Sequence, residues 1–338
     1  MRVLILGGTG LISTSITRQL GERGDDVTVF NRGQRESRIP EGVRSLTGDR
    51  KDYGAFEEMM KSEEWDGVID MIGFVPEDAR SDIRAFNGKT RRFVFCSTVC
   101  VYNGRVTKTP AADDEPLNPL SDYGKNKAAC ENILMEAFAE QGFPATILRP
   151  SHTYGEGGSI IHSLGWTTTF LDRVRKSKKV IVHGDGKTLW ASCHIDDVAR
   201  AFVGALDNDA STGQSYHVTG DNPQTWDDYV AGVAEAIGGT PEIVHIPTDL
   251  LVKLAPKRAA FTGYEFQFNR VFDNSKAKRD LGFEYTIGWK EGVQRTVAWL
   301  DSRGKIENSD TDPFDDRVID AWGKLNADIV TNCGLTDG

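Results

Sequence analysis

A short apolar run, a glycine-rich turn and a helical stretch open the chain in that order, and the same alternation of strand and helix continues as far as Pro150. Val3 to Leu6, Val27 to Phe30, Gly67 to Met71, Arg92 to Cys96 and Ala145 to Leu148 are β-branched or apolar runs that read as buried strands, with helical patterns between most of them. Such an alternation points to parallel βαβ units with right-handed crossovers, so the predicted class is α/β, a Rossmann-type doubly wound parallel sheet. After Pro150 the regularity loosens into Gly-rich and mixed segments such as Tyr154 to Ser159, as expected for a smaller C-terminal lobe. The predicted division gives residues 1-150 plus about 194-219 to the sheet domain, and about 151-193 and 220-338 to the lobe. Its end is a helical extension in which Phe314, Val318, Ile319, Trp322 and Leu325 share one amphipathic stripe and dock.

Composition narrows the function classes. The 338 residues carry a formal charge of -10, which disfavours a general attraction to nucleic acid or anionic lipid. No apolar run approaches the roughly 20 residues of a membrane helix, and the first residues enter a strand without a leader-like pattern, so the expected location is cytoplasmic. Cys96, Cys100, Cys130, Cys193 and Cys333 are odd in number and scattered, which fits reduced thiols. The histidines lack zinc-type spacing, and no metal site is expected.

The turn reads Gly7-Gly8-Thr9-Gly10-Leu11-Ile12-Ser13, with Ser13 where a third glycine often stands. Gly7 permits a tight turn, Gly8 and Gly10 let backbone approach a diphosphate, and the following helix N-terminus, with Leu11 and Ile12, offers N–H groups and a favourable dipole. Its place between the first strand and the first helix makes this a dinucleotide site, with NAD or NADP as cofactor. The second strand runs into Asn31-Arg32-Gly33, without the carboxylate that binds a ribose 2'-OH in NAD-specific folds. Arg32, with Arg35, either stacks on adenine or pairs with a 2'-phosphate, or is a solvated loop arginine. Asp49, followed by Arg50 after the third strand, either accepts from the adenine amino group or caps a helix. Met71, at the end of its strand, completes the cofactor-binding set.

Ser121 to Lys127 opens a strong helix in which Tyr123 and Lys127 lie one turn apart on one face. A phenol titrates near 10, so acid–base work near neutrality needs positive charge beside it, which Lys127 and an oxidised nicotinamide would supply. The spacing alone is weak evidence; its place after the Phe93 to Cys96 strand gives it weight. That strand leads into Ser97-Thr98, at the end where open α/β sheets bind ligands. Thr98 would hydrogen-bond the reacting oxygen while Tyr123 exchanges its proton, or these hydroxyls simply cap a strand end.

With these motifs the chain resembles the extended short-chain dehydrogenase/reductase family, which includes UDP-galactose 4-epimerase and sugar-nucleotide dehydratases. The resemblance rests on Gly7 to Gly10, Gly48-Asp49, Ser97 to Tyr102, Tyr123 to Lys127, Arg149 to Gly155, Gly184 to Gly186, His194 to Ala199 and Ser275 to Gly282. It implies that Thr98, Tyr123 and Lys127 are catalytic, that Lys127 also binds the cofactor ribose, that the cofactor is tightly held and that the protein is a homodimer. Val99-Cys100 replace the acidic pair of the dehydratases, so water elimination is disfavoured. His152 stands where the epimerases carry asparagine, Trp190 stands where one diphosphate-gripping arginine is expected, and Arg270 matches a second. These three, with Thr98, are the expected substrate-binding residues, with packing inside the lobe the competing role for Trp190. The leading expectation is an NAD(P)-dependent epimerase acting on a sugar or nucleotide-sugar hydroxyl. A net dehydrogenase or reductase is the alternative, and an RNA-binding protein like the chloroplast stem-loop binding relatives is the more distant one.

Overall fold

The computed structural model describes residues 1–34, 39–102 and 104–334. Arg35 lies outside them. The chain divides into two compact units, the first made of Met1–Gly155, Ala191–Pro223 and Arg270–Gly288, the second of Glu156–Trp190, Gln224–Asn269 and Trp289–Gly338.

The first unit is built on a seven-stranded sheet. In chain order its strands are β1 (Arg2–Leu6), β2 (Asp26–Asn31), β3 (Arg44–Thr47), β4 (Gly67–Asp70), β5 (Phe93–Cys96), β6 (Ala145–Pro150) and a last strand, Ser215–Val218. Their order across the sheet is Ser215–Val218, β6, β5, β4, β1, β2, β3, and all the pairings are parallel. Strand order reverses between β1 and β4, and that switch point opens a crevice at the strands' C-terminal ends.

Both faces of the sheet are covered, which is why β1 reads as an unbroken apolar run. Val3 and Ile5 face a core that includes Ile16 and Leu20 of α1 (Leu11–Arg23) and Phe202 of the helix Ile195–Asp207. Leu4 and Leu6 face the opposite core, with side chains from α2 (Tyr53–Lys61), α3 (Pro76–Phe86) and α4 (Asp122–Gln141). An aromatic ladder runs through this second core, Phe30 to Phe56 at 5.3 Å, Phe56 to Phe86 at 6.3 Å and Phe86 to Phe93 at 5.9 Å between ring centroids. Edge-on and tilted ring contacts of this kind add to burial itself and tie α2 and α3 to the strands whose ends form the crevice.

Arg270–Gly288, assigned to the lobe from sequence, packs with the sheet unit. Ala277, Leu281 and Phe283 enter the first core, and Ala111 exchanges backbone hydrogen bonds with Val271 and Asp273 at 2.9 and 2.8 Å. The sequence offered no sign of this because the partner segment lies far away along the chain.

In the second unit the basic run Arg173 to Lys179 is neutralised by acids. Arg173 pairs with Asp316 at 2.5 Å, Arg175 with Asp301 at 2.6 Å, Lys176 with Asp310 at 2.7 Å and Lys179 with Glu242 at 2.9 Å. The closing helix Phe314–Cys333 docks only its first half: Phe314, Val318, Ile319 and Trp322 pack with Leu164, Ile181 and Leu251. Leu325, expected on the same stripe, is exposed because the helix outruns the core beneath it.

Cys333 is exposed, whereas the other cysteines are buried, and burial pushes the Cys96 and Cys130 thiols up to about 11 and about 12. A protonated, covered thiol reacts slowly. Iodoacetamide on the native protein at pH 7.5 is therefore expected to give a single fast adduct, at Cys333, by intact mass and peptide mapping; rapid labelling of Cys96 would contradict the packing around β5.

Candidate active site

Gly7 takes φ +87°, and a Cβ there would lie 2.3 Å from Ile72 Cγ2, so only glycine lets the turn sit against the loop after β4. Gly8 is required for a different reason: its Cβ would lie 2.4 Å from Val29. Ser13 braces the turn, accepting from Gly10 N at 2.8 Å and donating to Gly7 O at 2.7 Å. The helix α1 thus begins directly over a cavity of about 700 Å³ in the first unit.

That cavity brings together Gly7, Gly10, Leu11, Ile12, Asn31, Arg32, Asp49, Arg50, Met71, Tyr123 and Lys127, along with residues the sequence did not single out, among them Lys51, Ile72, Phe74 and Cys96. Three strand spacings of about 4.8 Å separate β2 from β5, so the Arg32 and Tyr123 ends of this wall are roughly 14 Å apart. An elongated cavity with a glycine-rich turn at a helix N-terminus midway along it fits a dinucleotide with its diphosphate at Gly7 to Ile12.

At the β2 end, Asn31 Oδ1 accepts from Gly33 N at 2.7 Å and shapes the turn that presents Arg32. Arg32 is exposed, and no acidic partner faces it among the described residues. Asp49 accepts from Lys51 N at 2.9 Å, and the cap of α2 is made by Asp52 instead, through Ala55 N at 3.3 Å. Asp49 therefore lies exposed on the cavity wall without a capping duty.

Arg50 is the exception in the cofactor set. It is 4 % exposed, and its guanidinium faces Asp82 at 2.7 Å, Asp70 at 3.3 Å and Asp78 at 3.5 Å. Its charge is held by three buried carboxylates of β4 and α3, although the residue lines the cavity. Burial, reinforced by Asp70 and opposed by Arg50, pushes the Asp82 carboxyl well above the usual range. Asp82 Oδ1 and Asp70 Oδ2 are buried and make no hydrogen bond of their own.

At the β5 end, α4 approaches so closely that a Cβ on Gly124 would lie 2.1 Å from Cys100 O. This contact brings Tyr123 near Thr98, whose hydroxyl accepts from Cys100 N at 3.2 Å. The Tyr123 ring is 40 % exposed, yet water is scarce around its hydroxyl, and that desolvation raises the phenol above its ordinary value. The Cys100 and Cys96 thiols act in the same direction, and the Thr98 hydroxyl opposes them. Lys127 is 1 % exposed and donates to Gly73 O at 2.8 Å and Cys96 O at 2.6 Å. Its ammonium also lies 4.8 Å from the Phe74 ring and 4.7 Å from the Phe95 ring. Two carbonyls and two ring faces leave one N–H of the three for a ligand.

The three substrate assignments separate. His152 stacks on Tyr154 and bonds Ser192 Oγ through Nδ1 at 3.0 Å, and burial lowers its pKa to about 3, so it presents a neutral imidazole. Arg270 is 1 % exposed, donates to Val99 O at 2.6 Å and lies over Phe272, so a diphosphate clamp is not its geometry. Trp190 belongs to the second unit's aromatic core, 4.9 Å from Phe266 and 5.6 Å from Trp226, with no ring face left for a substrate. Both corrections have one cause: the partners that bury these side chains are distant in sequence. Phe74 was missed although a signal existed, since it follows β4 directly and crevices of this fold are lined by residues just beyond strand ends.

Residues 3–219 match the model of the NAD dependent epimerase/dehydratase family. The chain is 26% identical over 310 residues to a 2'-dehydrokanamycin reductase of Streptomyces kanamyceticus, covering 92% of this chain and 87% of the relative. It is 25% identical over 336 residues to the chloroplast stem-loop binding protein of 41 kDa b of Arabidopsis thaliana, covering 94% and 84%. Among solved structures, a UDP-glucose 4-epimerase of Thermotoga maritima with UDP-glucose superposes with a TM-score of 0.73 at 22% identity, over 90% of this chain and 99% of that one. It is a likeness of fold.

Adding one methyl at Gly124 forces α4 off the Cys100 carbonyl. Gly124→Ala is expected to lose about 1–3 kcal/mol in urea unfolding, the usual cost of overpacking, and to loosen the Tyr123–Thr98 contact. Wild-type stability in this variant would mean that the helix is not seated as described.

Proposed function

The chain belongs to the NAD dependent epimerase/dehydratase family, and from the geometry of its cavity we propose that it moves a hydride at a secondary hydroxyl carbon of a sugar, with Tyr123 exchanging the hydroxyl proton. The observation that carries this reading is that Tyr123 and Lys127 share one cavity wall with the glycine turn, with the Thr98 hydroxyl close enough to act on the phenol. A nicotinamide dinucleotide, when bound, accepts or returns the hydride.

The residues divide the remaining work. Gly7 to Ile12 hold the diphosphate, and Lys127 gives its third N–H to the ribose. Thr98 holds the substrate oxygen within reach of the phenol. A phenol raised by desolvation keeps its proton, the form that donates to a carbonyl oxygen in reduction; in the oxidising direction the positive charge of an oxidised nicotinamide would help it accept one.

Epimerisation is this step run twice on one retained substrate, and net reduction is the step run once with nucleotide exchange. The structure of Arg270 and Trp190 favours the second. Neither position offers a diphosphate clamp, so a sugar without a nucleotide handle is the better fit. The similarity to the 2'-dehydrokanamycin reductase supports the same choice. The RNA-binding reading, carried by the Asn31 to Gly33 and Gly48 to Asp52 stretches, is weakened because Arg50 and Lys51 are paired with buried acids. At the adenosine end, a neutral Asn31 and an exposed Arg32 favour NADP(H) over NAD(H), because a guanidinium can pair with the 2'-phosphate and β2 ends without a carboxylate.

Tyr123→Phe is expected to bind NADPH as wild type does while turnover on a panel of keto-sugars falls by at least about 100-fold, the usual worth of acid–base catalysis. Activity retained in that variant would remove Tyr123 from the reaction. In calorimetric titrations, wild type should bind NADPH at least about tenfold tighter than NADH, the scale of one charged hydrogen bond, and Arg32→Ala should erase the difference by weakening NADPH alone. Equal affinities in the wild type would assign Arg32 to solvent.

A further inference from the structure

The loop after β4 is held by carboxylates at both ends. Asp70 Oδ1 accepts from Ile72 N at 2.8 Å, and Asp78 Oδ2 accepts from Phe74 N at 2.8 Å and Val75 N at 3.1 Å. The two acids converge on Arg50. Between them Gly73 lies flush against Asp70: a Cβ there would sit 2.3 Å from Asp70 Oδ2 and 2.6 Å from Phe95. The residues so fixed are the ones that hold the ammonium, since Gly73 O accepts from Lys127 and the Phe74 ring lies over it.

We infer that Asp70, anchored by Arg50, is a positioning residue for Lys127: it sets the Ile72–Gly73 turn and so places the carbonyl that aims the ammonium into the cavity. An acid at the end of β4 would otherwise be an odd choice, since it is fully buried and contributes no side-chain atom to the cavity wall. Because Arg50 directly follows Asp49, the same anchor links the adenine end of the cavity to its nicotinamide end. A nucleotide settling at one end finds the lysine at the other already in place.

The inference rests on the reading of Lys127 as a nucleotide contact, and one of its two measurements does not need that reading. Arg50→Met would strand three buried carboxylates and threaten folding, so the test uses Asp70→Ala and Asp70→Asn, each checked for a cooperative thermal transition. In ligand-free protein labelled with 15N-lysine, the Lys127 Nζ resonance is identified by its loss in Lys127→Met. It should shift or vanish in Asp70→Ala and return in Asp70→Asn, whose side-chain carbonyl can still accept from Ile72 N. NADPH titrations then form a cycle. Asp70→Ala should weaken binding about tenfold in the wild-type background and less than about twofold in the Lys127→Met background, because residues acting as one unit are not additive. An unchanged Lys127 resonance in a folded Asp70→Ala protein, or equal losses in both backgrounds, would overturn the inference. If the resonance responds while wild type binds no NADPH, the positioning role stands and the functional reading of the cavity falls.

Discussion

A lysine ammonium buried almost completely and satisfied by two main-chain carbonyls is the constraint around which the first unit is arranged. Lys127 receives Gly73 O from the loop after β4 and Cys96 O from the end of β5, so its position is defined by two adjacent parallel strands rather than by a counter-ion. A carboxylate partner would neutralise the charge and draw the side chain away. Carbonyls satisfy the N–H groups and leave the charge uncancelled, which is what a site needs if the ammonium is to act on a bound nucleotide and on a nearby phenol.

The carboxylates are kept one layer back. Asp70, Asp78 and Asp82 gather on Arg50, with Lys51 closing on Asp78 at 2.7 Å. These acids are held by their own cations, and the cluster fixes the loop through Asp70 and Asp78. The opposite wall is set by packing alone, since the missing Cβ of Gly124 lets α4 reach the Cys100 carbonyl and so carries Tyr123 to Thr98. Ion pairing on one side and close helix contact on the other converge on the same few atoms.

What the sequence made legible was local. The glycine turn, the alternation of strand and helix and the one-turn spacing of Tyr123 and Lys127 each depend on residues a few positions apart, and the seven-stranded parallel sheet follows from them. Arg50, Arg270 and Trp190 were harder because their environments come from far along the chain: Asp82 is 32 residues from Arg50, and Val99 is 171 from Arg270. A charged or aromatic residue in a suggestive place can be turned inward by partners that no local pattern announces. Leu325 failed for the complementary reason, since its stripe was real but the core beneath it ended first.

The chain's two units divide the problem unequally. The first holds the cavity lined by the glycine turn, Tyr123 and Lys127, whereas the second is a separately packed body with an aromatic interior and charge-paired helices. The central claim concerns the first alone, and a crystal structure of the protein grown with NADP+ tests it most directly. The account requires the diphosphate on the Gly7 to Ile12 turn, the 2'-phosphate beside Arg32 and the nicotinamide ribose on Lys127 next to Tyr123. Electron density for the nucleotide anywhere else, or a nicotinamide ring remote from the phenol, would contradict it.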